Sequence, residues 1–263
     1  MRSIDKLLEV MVRLRNPESG CPWDLQQDFR SIAPYTIEEA YEVADAADRD
    51  DLEALRGELG DLLLQVVFHA QIASERGGFD FESVAAGIVD KMIRRHPHVF
   101  GDERIDDAQA QTEAWEEHKE AERRGTGDHG VLDGISLALP ALLRAQKLGK
   151  RAARVGFDWP DADGPREKIL EELDEVDAAV RSNDPDAIAD EVGDLLFAAA
   201  NLARKLGVNP EEALRQSNRK FERRFREVEA KVAEQGGDWD RFSLAELEAL
   251  WCDAKRTDTN RSG

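Results

Sequence analysis

The sequence predicts an all-α protein made of two tandem helical domains of the four-helix-bundle type. Three observations carry that expectation. An acidic helical block occurs twice with a constant offset, Glu38 falling on Glu171 and Asp61 on Asp194. Apolar residues recur at helical spacing between N-cap and glycine stop signals. Strand signals are weak, since aromatic residues make up only 6% of the chain and β-branched alternation is hard to find.

The repeat comes first, because it fixes the order of everything else. Residues 36–64, TIEEAYEVADAADRDDLEALRGELGDLLL, align with residues 169–197, ILEELDEVDAAVRSNDPDAIADEVGDLLF. Glu38, Glu39, Glu42, Val43, Glu58, Gly60, Asp61, Leu62 and Leu63 fall on Glu171, Glu172, Glu175, Val176, Glu191, Gly193, Asp194, Leu195 and Leu196. Upstream, Gly20-Cys21-Pro22-Trp23-Asp24 loosely echoes Gly156-Phe157-Asp158-Trp159. Downstream, KMIRR at 91–95 matches KFERR at 220–224, and Trp115 with Lys119 matches Trp251 with Lys255. The same order in both halves marks a domain duplication. The stretch RGTGDHG at 124–130 is Gly-rich, polar and without periodicity, as suits a linker. The predicted organisation is a first domain at 1–124, a linker at 125–134, a second domain at 135–258 and a polar tail at 259–263.

In the second domain a helix is expected from about Gly164 or Pro165 to Val180. Asp184 then caps a second helix whose first turn holds Pro185. Its apolar face reads Ile188, Val192, Leu195, Leu196, Ala199 and Leu202, and it stops near Gly207. The first domain repeats the plan: Pro34 sets the start of its motif helix, Asp50-Asp51 opens the next, and Gly77-Gly78 closes it. Gly57, Gly60 and Gly193 lie inside these helices, where each costs about 1 kcal/mol against alanine. Beside the acids, they are expected to let paired helices approach closely.

Spacing then gathers charge. Glu172 and Glu175 are three residues apart, as are Glu191 and Asp194, so each pair shares a helix face. Glu175 stands roughly 8 residues before the turn and Glu191 roughly 7 after it, so at about 1.5 Å per residue the pairs meet across the hairpin. Glu39, Glu42, Glu58 and Asp61 repeat the arrangement. Four carboxylates in one groove repel unless a cation or protons intervene. An all-oxygen ligand set favours Mg²⁺, with Mn²⁺ as a substitute, over zinc. Di-iron chemistry is excluded by its Glu-x-x-His requirement, since none of His69, His96, His98, His118 and His129 follows a glutamate at that spacing.

The formal net charge of −20 argues against nucleic acid as a partner, because a phosphate polymer needs a broad basic surface. Cys21 and Cys252 stand far apart and fit a reducing compartment. No apolar run suits a leader or a membrane span, so no membrane partner is expected and the protein reads as cytoplasmic.

The pattern Glu171-Glu172-x-x-Glu175 followed by Glu191-x-x-Asp194 resembles the signature of the all-α nucleoside triphosphate pyrophosphohydrolases. RRHPHVF at 94–100, GFDW at 156–159 and KFERRFREVE at 220–229 are similar to the MazG branch specifically, and the resemblance covers nearly the whole chain. It implies hydrolysis of a nucleoside triphosphate to monophosphate and pyrophosphate by a homodimer whose two chains complete the bundles. It also implies that Glu172, Glu175, Glu191 and Asp194 bind Mg²⁺, that Lys168, Lys220, Arg223 and Arg224 hold phosphates, and that Trp251 and Lys255 contact the nucleotide. A flat Trp251 face would stack on any base, which favours broad substrate tolerance, ribo and deoxyribo. The general base stays open among the acids, with Glu171 beside the ligands the first choice. Tyr35 stands where the second domain has Lys168, so the second domain is expected to carry most of the catalysis and the first to assemble the dimer. The alternatives are a narrower pyrophosphohydrolase acting on one deoxynucleotide or on phosphoribosyl-ATP, and a non-catalytic helical dimerisation module.

Overall fold

A computed structural model of the chain describes residues 2–101 and 130–261, with side chains described to residue 258. It divides into two compact units, Met1–Ala121 and Glu122–Gly263. The described residues are helical or connecting, and none is in a strand.

The first unit runs α1 (Ser3–Leu14), the short α2 (Pro22–Gln26), α3 (Phe29–Asp48), α4 (Leu52–Glu75), α5 (Phe81–Arg95) and the single turn α6 (Pro97–Phe100). Side-chain caps set the starts: Asp28 accepts from the Arg30 and Ser31 amides, Asp51 from Ala54, and Asp80 from Ser83. Gly77, at φ +70°, supplies the left-handed turn beyond α4. Met11, Ile32, Val67, Phe68 and Ile72 form the core where α1, α3 and α4 meet, with Leu7, Leu8, Phe29, Leu64 and Phe81 packed around them. Arg15, at the end of α1, forks onto Glu75 at 2.9 and 2.7 Å and donates to the carbonyls of Asp24 and Gln27.

The second unit runs α7 (Ala141–Arg154), α8 (Asp163–Ser182), α9 (Pro185–Lys205), α10 (Pro210–Glu234), a 3₁₀ turn (Trp239–Arg241) and α11 (Leu244–Arg261). Asn183 ends α8 in the left-handed conformation, at φ 54°. Asp184 then caps α9 by accepting from the Asp186 and Ala187 amides, with Pro185 in the first turn as the sequence predicts. Val228, Val232 and Ala254 form a core between α10 and α11, joined by Phe242, Leu247, Leu250 and Trp251. The two dominant pairings are the antiparallel hairpins α3–α4 and α8–α9, one per unit, and these carry the repeated acids.

Two local expectations fail. Pro34 does not start its helix: α3 begins five residues earlier, at Phe29, because Asp28 and Ser31 form a reciprocal cap, and Pro34 is absorbed inside it. Nor do Gly57, Gly60 and Gly193 mediate close helix approach, since a Cβ built on any of them meets nothing within 4 Å. Among the described residues, no neighbouring helix lies against their side of the hairpins. Residues 125–129 of the predicted linker, His129 among them, and Trp115, His118 and Lys119 of the predicted first domain lie outside the described residues.

Candidate active site

In the second domain the hairpin buries one acid and leaves its neighbours accessible. Glu172 is 2% exposed. Its Oε1 accepts from Lys168 Nζ at 2.7 Å, and the same ammonium reaches Glu171 Oε1 at 3.0 Å. The Lys168 pKa is driven upward, first by its hydrogen bond to Glu172 and then by that to Glu171. Glu172 Oε2 is buried without a hydrogen-bond partner among the described residues. A buried carboxylate oxygen left unsatisfied is costly, so such an atom marks a place where something else binds. Glu175 and Glu191 offer oxygens that lie with one from Glu172 within 4.8 Å of one another. Glu175 is pushed above the ordinary carboxylate range, chiefly by its contact with Glu172, then by burial and neighbouring negative charge.

The first domain gathers Glu39, Glu58 and Asp61 within the same 4.8 Å. Burial pushes Glu39 up first, followed by the charges of Asp61, Glu42 and Glu58. Glu58 rises through burial and then through Glu42 and Asp61. No lysine among the described residues joins this group: Tyr35, in the place of Lys168, turns its ring edge-on to Trp23 at 6.0 Å.

The four-carboxylate expectation is thus met by three acids in each domain. Asp194 is exposed and stands outside its group. Glu42 stands outside the other, though close enough to raise Glu58. The donor set fits a hard divalent cation: it is all oxygen, it includes Glu175, Glu39 and Glu58, whose pKa values are raised, and it holds one buried oxygen unclaimed.

The basic residues on α10 have partners that spacing does not reveal. Arg223 donates to Asp258 through Nε at 2.7 Å and Nη2 at 2.9 Å, and Arg224 Nε adds a bond at 2.8 Å. Asp258 is 7% exposed, and the two guanidinium groups hold its carboxyl down at about 2. Lys220 is exposed. Trp251 is half-buried in the α10–α11 core, with Phe221 tilted against it at 5.1 Å and Lys255 Nζ 5.9 Å from its ring centre. Asp258 sits more than thirty residues from Arg223, so no local pattern exposes the pair.

A second missed feature is the strap that holds the GFDW loop. Asp158 accepts from Arg204 at 2.6 and 3.1 Å and from Lys205 at 2.9 Å, and these cations keep its carboxyl far below the ordinary range. Its only sequence signal is an acid in the loop and two cations in the last turn of α9.

The family model described as the MazG nucleotide pyrophosphohydrolase domain matches residues 27–100 and 165–229, one segment in each half. A nucleoside triphosphate pyrophosphohydrolase of Escherichia coli (strain K12) is 52% identical over 258 residues, which cover 97% of this chain and 98% of that protein. The nucleoside triphosphate pyrophosphohydrolase/pyrophosphatase MazG of Thermotoga maritima is 43% identical over 254 residues, 97% of this chain and 96% of that one. The uncharacterized protein YabN of Bacillus subtilis (strain 168) is also 43% identical, but 95% of this chain covers only 51% of its length.

Proposed function

Because the chain belongs to the MazG nucleotide pyrophosphohydrolase family, we propose that it hydrolyses nucleoside triphosphates of either sugar and any common base to monophosphate and pyrophosphate, with Mg²⁺. The observation that carries this reading is Glu172: one oxygen on Lys168, the other buried and unclaimed among Glu175 and Glu191.

Glu172, Glu175 and Glu191 would hold the ion, with Asp194, one turn along α9 from Glu191, as a fourth candidate ligand. Bound there, Mg²⁺ would supply Lewis-acid polarisation of the α-phosphate and a water of lowered pKa. Lys168, on Glu171 and Glu172 here, would offer its ammonium to a phosphate oxygen of the substrate. Glu171, exposed and next to the ligands, would then accept the proton of the attacking water. Lys220 meets phosphate directly. Arg223 uses two of its five N–H donors on Asp258, and that pairing orients the fork toward phosphate rather than using it up. Trp251 and Lys255 contact the nucleotide from the α10–α11 end, but Phe221 already occupies part of the indole surface.

The hairpins' outer faces support a homodimer. Leu170, Leu173, Val192 and Leu196 are 40–59% exposed along α8 and α9, and Ile37, Tyr41, Leu59 and Leu63 are 39–49% exposed along α3 and α4. An amphipathic helix pair with apolar residues left outside needs a second pair to complete its bundle. A second copy of the chain supplies it.

The test is product analysis across all ribo- and deoxyribonucleoside triphosphates with Mg²⁺. Monophosphate and pyrophosphate in equal amounts are expected, whereas orthophosphate as the sole phosphate product contradicts the bond assignment. Activity on a single deoxynucleotide would replace breadth with the narrower alternative.

A further inference from the structure

Arg223 and Arg224 are neighbours on α10, so their side chains leave the helix axis roughly 100° apart. One carboxylate nevertheless holds both guanidinium groups. Asp258, the last described side chain of α11, accepts from Arg223 through Nε at 2.7 Å and Nη2 at 2.9 Å, and from Arg224 through Nε at 2.8 Å. The carboxylate is buried, while the Arg223 side chain is half exposed and that of Arg224 is 17% exposed. Each guanidinium has five N–H donors, of which Arg223 places two on Asp258 and Arg224 one.

A buried carboxylate between two arginines is a poor source of stability. Taking the ions out of water offsets much of their attraction, and apolar residues of similar volume often serve as well. What the triad does supply is a fixed geometry. We infer that Asp258 is a positioning residue for the reaction: it draws together two guanidinium groups that the helix would splay, and its charge offsets the repulsion between them. With Lys220 one turn earlier on the same face, α10 then presents the substrate's phosphates with a single cationic row. Without the acid, two long side chains would have to be ordered at the moment of binding, which weakens it.

The internal repeat carries the same acid. Trp115, Lys119 and Glu122 have the spacing of Trp251, Lys255 and Asp258, just as Arg94-Arg95 matches Arg223-Arg224. The chain therefore keeps a carboxylate three residues beyond the lysine in each half, together with the arginine pair it would serve.

This assignment rests on the proposed phosphate contacts of Arg223 and Arg224, and the experiment tells the two apart. In the full-length protein with ATP and Mg²⁺, Asp258→Asn should raise KM about tenfold while kcat changes less than about twofold. Asp258→Glu, which keeps the charge, should recover most of that loss. In an Arg223→Gln/Arg224→Gln background, adding Asp258→Asn should cost nothing further, because the acid acts only through those cations. That triple variant contains no unpaired buried charge, so it still reports if Asp258→Asn alone folds poorly. An unchanged KM in folded Asp258→Asn overturns the inference, and so does an equal loss with and without the arginines. A wild-type KM in the double arginine variant would instead defeat the phosphate contacts beneath it.

Discussion

Where the second domain sets Lys168 against Glu172, the first sets Tyr35 against Trp23, and the acids around each respond differently. In the first domain Glu39 and Glu58 are both pushed up, with Arg49 the one cation among the causes. In the second, the internal ammonium opposes the rise at Glu175. The loop straps also differ in sense. Arg15 reaches from the end of α1 to Glu75 at the end of α4, whereas Asp158 in the loop reaches Arg204 and Lys205 at the end of α9. Duplication has thus kept the backbone and the acids, while the positions around them have diverged. The first hairpin packs against a closed apolar core, and the second carries a cation among its acids.

Four experiments break or sharpen this contrast, beginning with the largest effect. Glu172→Ala should lower kcat/KM by at least about 100-fold, as loss of a metal ligand does, while Glu39→Ala should lower it by no more than about threefold. Equal losses would erase the division of labour. Lys168→Met should lower kcat/KM roughly tenfold through loss of a charge-assisted phosphate contact. The same variant, without nucleotide, should make Mg²⁺ protect α8 and α9 from amide exchange more than in wild type. No added protection would mean that Lys168 does not stand in for the ion.

Asp158→Asn should cost about 2 kcal/mol in denaturant unfolding, because it strips charge from bonds to the largely buried Arg204. Glu75→Gln should cost about 1 kcal/mol, since Arg15 keeps its bonds to the Asp24 and Gln27 carbonyls. The smallest effect is in acid. Asp258 is held at about 2 against an ordinary 3.8, so its stabilising pairing is complete above the ordinary value and is lost as pH falls through the lower one. Stability measured from pH 5 downward should fall less steeply in Asp258→Asn than in wild type.

The hairpins could be read from the sequence because their signals are local. Asp51 and Asp184 cap within three residues, Pro185 and Gly77 mark ends, and the repeated acids sit at helical spacing. Membership of the acidic groups was legible too, short of which carboxylate stays outside, since helical spacing treats the four acids alike and three-dimensional placement does not. Pro34 misled because a side-chain cap at Asp28 overrides a proline's usual preference for the first turn. The pairing of Arg223 with Asp258, the Asp158 strap and the close fit of Gly149 onto Asn201 join residues dozens apart, and no periodicity encodes such contacts. Gly193 stands out in the sequence because the repeat sets it on Gly60, whereas Gly149 in α7, which fits against Asn201, has no such local signal.

The most direct measurement is a crystal structure of the full chain with Mn²⁺ and a nucleotide bearing a non-hydrolysable α,β linkage, read by manganese anomalous scattering. An anomalous peak among Glu172, Glu175 and Glu191, with a phosphate oxygen against Lys168, is the predicted result. A peak confined to Glu39, Glu58 and Asp61, or phosphates lying away from Lys168, would contradict the account.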